Sequence, residues 1–195
     1  MLKPILTIML LVAFTSTFAL ASDFTVDKSQ STVKWHAEKV TGKHDGNVNI
    51  KSGTLNFDGN NLKGGEFIID MKSISNADLE DASYKQKLEN HLKSEDFFSV
   101  EKFPESKFVI TKVEKNSDKH QITGNLTIKG ITHPVTFPAS IKVNGSNVTA
   151  KADIVVDRSK YNVQYRSKSF FDITALGDKM IYDEFKLSLS LTATK

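Results

Sequence analysis

The side chains with the widest chemical repertoire here are five histidines, His36, His44, His91, His120 and His133. No two stand at a metal-ligand spacing such as His-x-His or His-Glu-x-x-His, so no metal site is expected. The nucleophile elbow Gly-x-Ser-x-Gly, the phosphate loop and the dinucleotide fingerprint Gly-x-Gly-x-x-Gly are all absent from the sequence. Acidic pairs exist, Asp81 with Glu89 and Glu95 with Asp96. A general acid and base need a partner that orients them, and none is visible, so these read as helix caps or a solvated face. No catalytic residue is expected. Asp157-Arg158-Ser159 is the third constellation. A guanidinium at the end of a strand can bind a phosphate or quinone oxygen, or it can pair with Asp157 or Asp172 in a surface network.

The elements that would position these groups are mostly strands. Val33, Trp35 and Ala37 alternate with Thr32, Lys34 and His36, which puts His36 on the outer face of a half-buried strand. Thr41 to Gly46, with two glycines, predicts a loop or bulge, and Gly53 a bend between Val48-x-Ile50 and Leu55-x-Phe57. Asp58-Gly59-Asn60-Asn61 predicts a turn, and Glu66 to Ile74 a strand covered on both faces. The period then changes: Tyr84, Leu88 and Leu92 form the stripe of a short helix, capped by Ser83 with Gln86 or from Asp78. An aromatic loop with Phe97, Phe98 and Phe103 follows. Strands resume with Phe108 and Ile110, a phase shift to Val113, and a turn at Asn116–Lys119. Ile122 to Ile128, Val135 to Val143 and Val148 to Val156 alternate, with Asn144-Gly145 as a hairpin signal. Asp157 to Phe171 is ambiguous, Gly177-Asp178 turns, and Phe185 to Leu191 forms the last strand. About eight strands, mostly joined by short turns, with one helix, predict an all-β sandwich or closed antiparallel barrel. The inward row mixes Trp35, Phe57, Phe67, Phe108, Phe137 and Phe185 with Gly124, Ala139, Ala150 and Ala152. Such a row interdigitates into a solid core or leaves an elongated apolar slot.

Lys3, the apolar run Ile5 to Leu20 and Ala19-Leu20-Ala21 have the form of a secretory signal peptide, with cleavage expected after Ala21. Residues 1–21 are therefore expected to be a signal peptide and 22–195 a single domain, periplasmic or secreted. There is no cysteine, which excludes disulfides, thiolate chemistry and a lipoprotein anchor. The net charge of +3 drops by one with Lys3, and lysines are scattered, so no nucleic-acid partner is expected.

Ordered signatures run through the chain. These are Ser31-Thr32-Val33-Lys34-Trp35 with Gly42, His44 and Gly46; Gly64 to Met71 (GGEFIIDM); His91 to Phe98 (HLKSEDFF); Lys102-Phe103-Pro104 with Phe108; Gly124 to Gly130 (GNLTIKG); and Asp157-Arg158-Ser159. In that order they resemble the YceI-like family of bacterial exported polyisoprenoid-binding proteins, over essentially the whole mature chain. The block Ser167 to Asp172 (SKSFFD) is similar to the branch found in Bacteroidota. The resemblance implies a lipocalin-like, extended eight-stranded antiparallel barrel with a short helix beside its opening. It further implies an apolar tunnel for the tail of a quinone or polyprenyl lipid, held for transport, storage or sequestration. Trp35, Phe57, Phe67, Phe108, Ile110 and Phe137 are then the tunnel-lining candidates, and His91, Phe97, Phe98 and Arg158 the mouth candidates, with Ser94 also near the head group. The expected partner is an isoprenoid lipid or other hydrophobic small molecule, with no further cofactor; a homodimer is compatible with the sequence. Two other readings remain, an enzyme acting on isoprenoid lipids and a solid barrel without ligand.

Overall fold

A computed structural model describes residues 21–116 and 119–195. The expected signal peptide, apart from Ala21, lies outside the described residues, as does the centre of the Asn116–Lys119 turn. Nine strands follow one another: β1 (Ala21–Val26), β2 (Thr32–Lys39), β3 (Gly42–Asp58), β4 (Asn61–Asn76), β5 (Glu105–Asn116), β6 (Lys119–Ile128), β7 (Ile131–Asn144), β8 (Asn147–Asp157) and β9 (Ile181–Thr194). Helix α1 (Ala82–Lys93) lies between β4 and β5, and a short helix α2 (Ile173–Leu176) precedes β9.

Every pairing is antiparallel, and β3–β4 together with β2–β9 close the sheet into a barrel. β1 pairs with the C-terminal half of β3 and β2 with its N-terminal half, both antiparallel to it. They are therefore two segments of one wall, broken where the Asp27 carboxylate accepts from the Ser29 and Gln30 backbone N–H groups. Nine strands thus occupy eight positions. Closure satisfies the edge groups that an open sheet would leave unpaired.

The turns are tight. Asp58 pairs with Asn61, Ile128 with Ile131 and Asn144 with Asn147, so each connection has two residues. Gly59, Gly130 and Gly145 supply the positive φ that such turns require. The Asn144-Gly145 signal thus places its turn one residue later, at Gly145-Ser146. The phase shift after Ile110 is a bulge against β6.

Several expectations change. Phe24 and Val26 form β1, an additional strand buried at 1% and 5% exposure. Gly42 to Gly46 belongs to β3 rather than to a loop. At Gly46 the place of a Cβ is filled by the Trp35 ring and the Ser75 carbonyl, so only glycine lets β2, β3 and β4 meet there. β4 is not covered on both faces; Phe67, Ile69 and Met71 point inward and Ile68 stays half-buried outside. Helix α1 is capped by Asp81, which accepts from the Ser83 and Tyr84 N–H groups, rather than by a Ser83/Gln86 box or Asp78. Asp78 instead accepts from the Asp45 N–H and holds His44. Tyr84 is 65% exposed; only Leu88 and Leu92 of the stripe turn toward the barrel. Asp157 to Phe171 is a 3₁₀ turn (Arg158–Tyr161) followed by a loop. No helix among the described residues is long and apolar enough to cross a membrane.

Candidate functional site

Along the strands alternate side chains face the axis, and at one end they fill it. There Phe24 and Phe57 meet edge to face, 5.1 Å between centroids, and pack with Val148 and Ala193, all at most 2% exposed. Beyond this plug the interior opens into a cavity of about 220 Å³. One water needs roughly 10–15 Å³ by that measure, so the void is far larger than a packing defect. The slot, not the solid core, is what this row of side chains builds.

The lining is apolar from β2 round to β9. Only Trp35, Ser106, Arg158 and Tyr182 among the lining residues carry a polar side-chain atom. Trp35 spends its indole N–H on the Ser75 carbonyl at 3.2 Å. Small residues create the room. Ala139 and Ala152 are direct partners across β7 and β8, and Ala150 lies one inward step away. By contrast, Phe108 fills the place of a side chain at Gly124, so that pair is solid.

The other end is covered by the loop after α1 and by residues 158–180. The loop folds on its own backbone: Phe98 N–H donates to Leu92 O, Val100 N–H to Lys93 O and Phe103 N–H to Ser99 O, with Ser99 at positive φ. This winding turns Leu92, Phe97 and Phe98 into the cavity. Arg158, its guanidinium 5.9 Å from the centre of the Phe97 ring, helps close the same end at 4% exposure. Its Nε donates to Tyr182 O, one terminal nitrogen to Val163 O at 2.8 Å and the other to Ile181 O at 3.0 Å. The last nitrogen also lies 3.5 Å from the Asp183 carboxylate. Burial pulls the guanidinium pKa down, opposed by Asp183 and Asp157.

Of the tunnel candidates, Trp35, Phe67, Phe108, Ile110 and Phe137 line the cavity, whereas Phe57 belongs to the plug. Phe97, Phe98 and Arg158 come together at the covered end. Arg158 is not a free rim cation, and its acidic partner is Asp183 rather than Asp157 or Asp172. Asp157 accepts from Ser159, and Asp172 caps α2. His91 is outside the lining. Its ring stands edge-on to Phe97 at 5.0 Å and Tyr165 at 4.5 Å, with Asp96 3.3 Å away. Ser94 donates its hydroxyl to His91 O. Asp81 and Glu89 are likewise committed, to the helix cap and to Asn76 N–H. Among the described residues no three His, Cys, Asp or Glu side chains gather at metal-binding range.

Ser106 escaped the sequence reading. It precedes Phe108 and Ile110 in the inward phase of β5 and lines the cavity at 5% exposure. A serine two residues before an inward phenylalanine was the signal.

The YceI-like domain model matches residues 24–193. Protein YceI of Salmonella newport is 30% identical over 137 residues, 69% of each chain. A UPF0312 protein of Photorhabdus laumondii is 42% identical over 59 residues, which cover 30% of this chain and 31% of that protein. Among solved structures, Burkholderia cenocepacia BcnA superposes with a TM-score of 0.68 at 24% identity, covering 87% of this chain and 99% of its own. A polyisoprenoid-binding domain of Saccharophagus degradans gives 0.60 at 8% identity, covering 88% and 97%. At these identities the superpositions establish the shared barrel.

Proposed function

The chain belongs to the YceI-like family, and from that premise we propose that it binds a long-chain isoprenoid lipid, of quinone or polyprenyl type, in the barrel. The cavity carries this reading: about 220 Å³ with an almost wholly apolar lining. Each buried CH₂ contributes about 0.8 kcal/mol, so each isoprene unit brings roughly 3–4 kcal/mol before ordering costs. A few units reach micromolar affinity without a charged anchor. Selection is then for length and girth more than for head-group charge. Lys3, the apolar run to Leu20 and Ala19-Leu20-Ala21 support export with cleavage after Ala21. The role that fits is transport, storage or sequestration of the lipid in the bacterial envelope, by binding rather than turnover.

Native mass spectrometry of the mature protein, purified from its own envelope, tests this. A stoichiometric isoprenoid, named after organic extraction, is the expected result. An apo mass that does not change when quinones and polyprenols are added would overturn the reading.

A further inference from the structure

The cavity holds one polar group that the protein leaves unspent. Ser106 Oγ is fully buried and has no hydrogen-bond partner among the described residues, while Ser106 lines the apolar cavity. A buried hydroxyl without a partner is costly, and such groups in native proteins call for a specific explanation. Its neighbours offer none. Ser106 pairs with Ile69 on β4, and Phe108 and Ile110 follow it on the inner face of β5.

The position is informative as well. Ser106 is the second residue of β5, directly after the loop that covers the cavity, so it lies at the covered end rather than by the Phe24–Phe57 plug. Of the other polar groups at that end, Arg158 is committed to three carbonyls and Ser94 to His91 O, while Tyr182 is 41% exposed to solvent. Ser106 thus borders the top of the cavity, with a hydroxyl that can both donate and accept.

Resting on the isoprenoid reading above, we infer that Ser106 is the head-group subsite. The bound lipid carries one neutral oxygen (an alcohol, phenol or carbonyl) inside the barrel, hydrogen-bonded to Ser106 Oγ. A phosphate is disfavoured, because Arg158 is the sole cation among the lining residues and is already paired. Arg158 spends three of its five N–H groups on carbonyls and stands 3.5 Å from the Asp183 carboxylate, and an unpaired anion in an apolar cavity is prohibitively costly.

The test compares geranylgeraniol, geranylgeranyl phosphate and the hydrocarbon of the same skeleton in which hydrogen replaces the hydroxyl. Each is titrated into wild type, Ser106→Ala and Ser106→Thr. The expected result is that Ser106→Ala weakens the alcohol by about tenfold, the worth of one buried hydrogen bond. Hydrocarbon affinity should hold, Thr should restore the alcohol, and the phosphate should bind wild type more weakly than the alcohol. Ligand-free Ser106→Ala should melt no lower than wild type, since it loses no partner. Equal loss for alcohol and hydrocarbon, or a lower ligand-free melting point, makes Ser106 a structural residue and overturns the subsite. Phosphate binding tighter than the alcohol overturns the neutral head. If wild type binds none of the three, the isoprenoid reading itself fails; if it binds them and Ser106→Ala changes nothing, only this inference does.

Discussion

Replacing Ala152 with phenylalanine should divide ligands by length. Ala152 is 8% exposed, faces the cavity and sits directly opposite Ala139 on β7 and Leu189 on β9. The substitution adds six ring carbons where the barrel is wide because two alanines meet. A ring of that size displaces about one five-carbon isoprene unit, or roughly 3–4 kcal/mol of burial at 0.8 kcal/mol per CH₂. At 1.4 kcal/mol per decade, a prenol long enough to reach this level should bind about 10²–10³-fold more weakly. A shorter prenol that stops above the ring should keep its affinity. The fold should tolerate the change, because the ring enters existing space; overpacking elsewhere in a core costs roughly 1–3 kcal/mol. Trp35, the sole tryptophan, lines the same cavity, so its emission reports occupancy during titration with prenols of increasing length. Folded Ala152→Phe protein that binds a long prenol within about twofold of wild type would show that the ligand does not occupy this cavity, and the size argument would fall.

Two further outcomes follow from the buried and bridged charges. Arg158→Met removes a guanidinium that satisfies three carbonyls and leaves Asp183 buried without its cation. It should cost about 3–5 kcal/mol in urea unfolding, and a loss under about 1 kcal/mol would refute the anchoring role. His36 bridges Glu38 at 2.8 Å and Asp45 at 2.6 Å, and these hydrogen bonds raise its pKa above the ordinary 6.5. Because the folded pKa is raised, this stabilisation is complete below about pH 6.5 and fades as pH rises through the raised value. His36→Gln should therefore lose stability relative to wild type at about pH 5.5 and converge with it at about pH 9; two curves that stay parallel would exclude the bridge.

The barrel was legible because antiparallel strands with one dry face print their period on the sequence. Ile122 to Ile128 and Val148 to Val156 needed nothing else. β1 was not, because Phe24 and Val26 are only two inward residues shortly after the apolar run Ile5 to Leu20. The helix stripe was over-read: spacing put Tyr84 with Leu88 and Leu92, but α1 docks through its C-terminal half and leaves the first turn in solvent. Phe57 has the correct phase for the lining, yet depth along the axis decides whether an inward ring faces a void or a plug, and period carries no depth. Arg158 was readable as special but not as buried. Its partners are carbonyls of residues 163, 181 and 182, which the chain brings near only by folding back after the 3₁₀ turn.

Phase reveals which residues point inward, but the sizes of cross-strand partners decide whether the interior is full. Gly124 pairs with Ile110, and the Phe108 ring one inward step along β5 leans over it and fills the place of its side chain, large on small. Ala139 faces Ala152, small on small, and that level is open. At about 24 cal/mol per Å³, an empty cavity of 220 Å³ costs on the order of 5 kcal/mol. That is comparable to the whole stability of many domains, about 5–15 kcal/mol. Leucine at either alanine would recover part of it with no change of strand or turn. A barrel that keeps both alanines is less stable empty than the same backbone could be. By linkage, any ligand that binds the folded form alone stabilises it further as occupancy rises. The small residues and the unspent Ser106 hydroxyl therefore belong to one design, in which the occupied barrel rather than the empty one is the well-packed state.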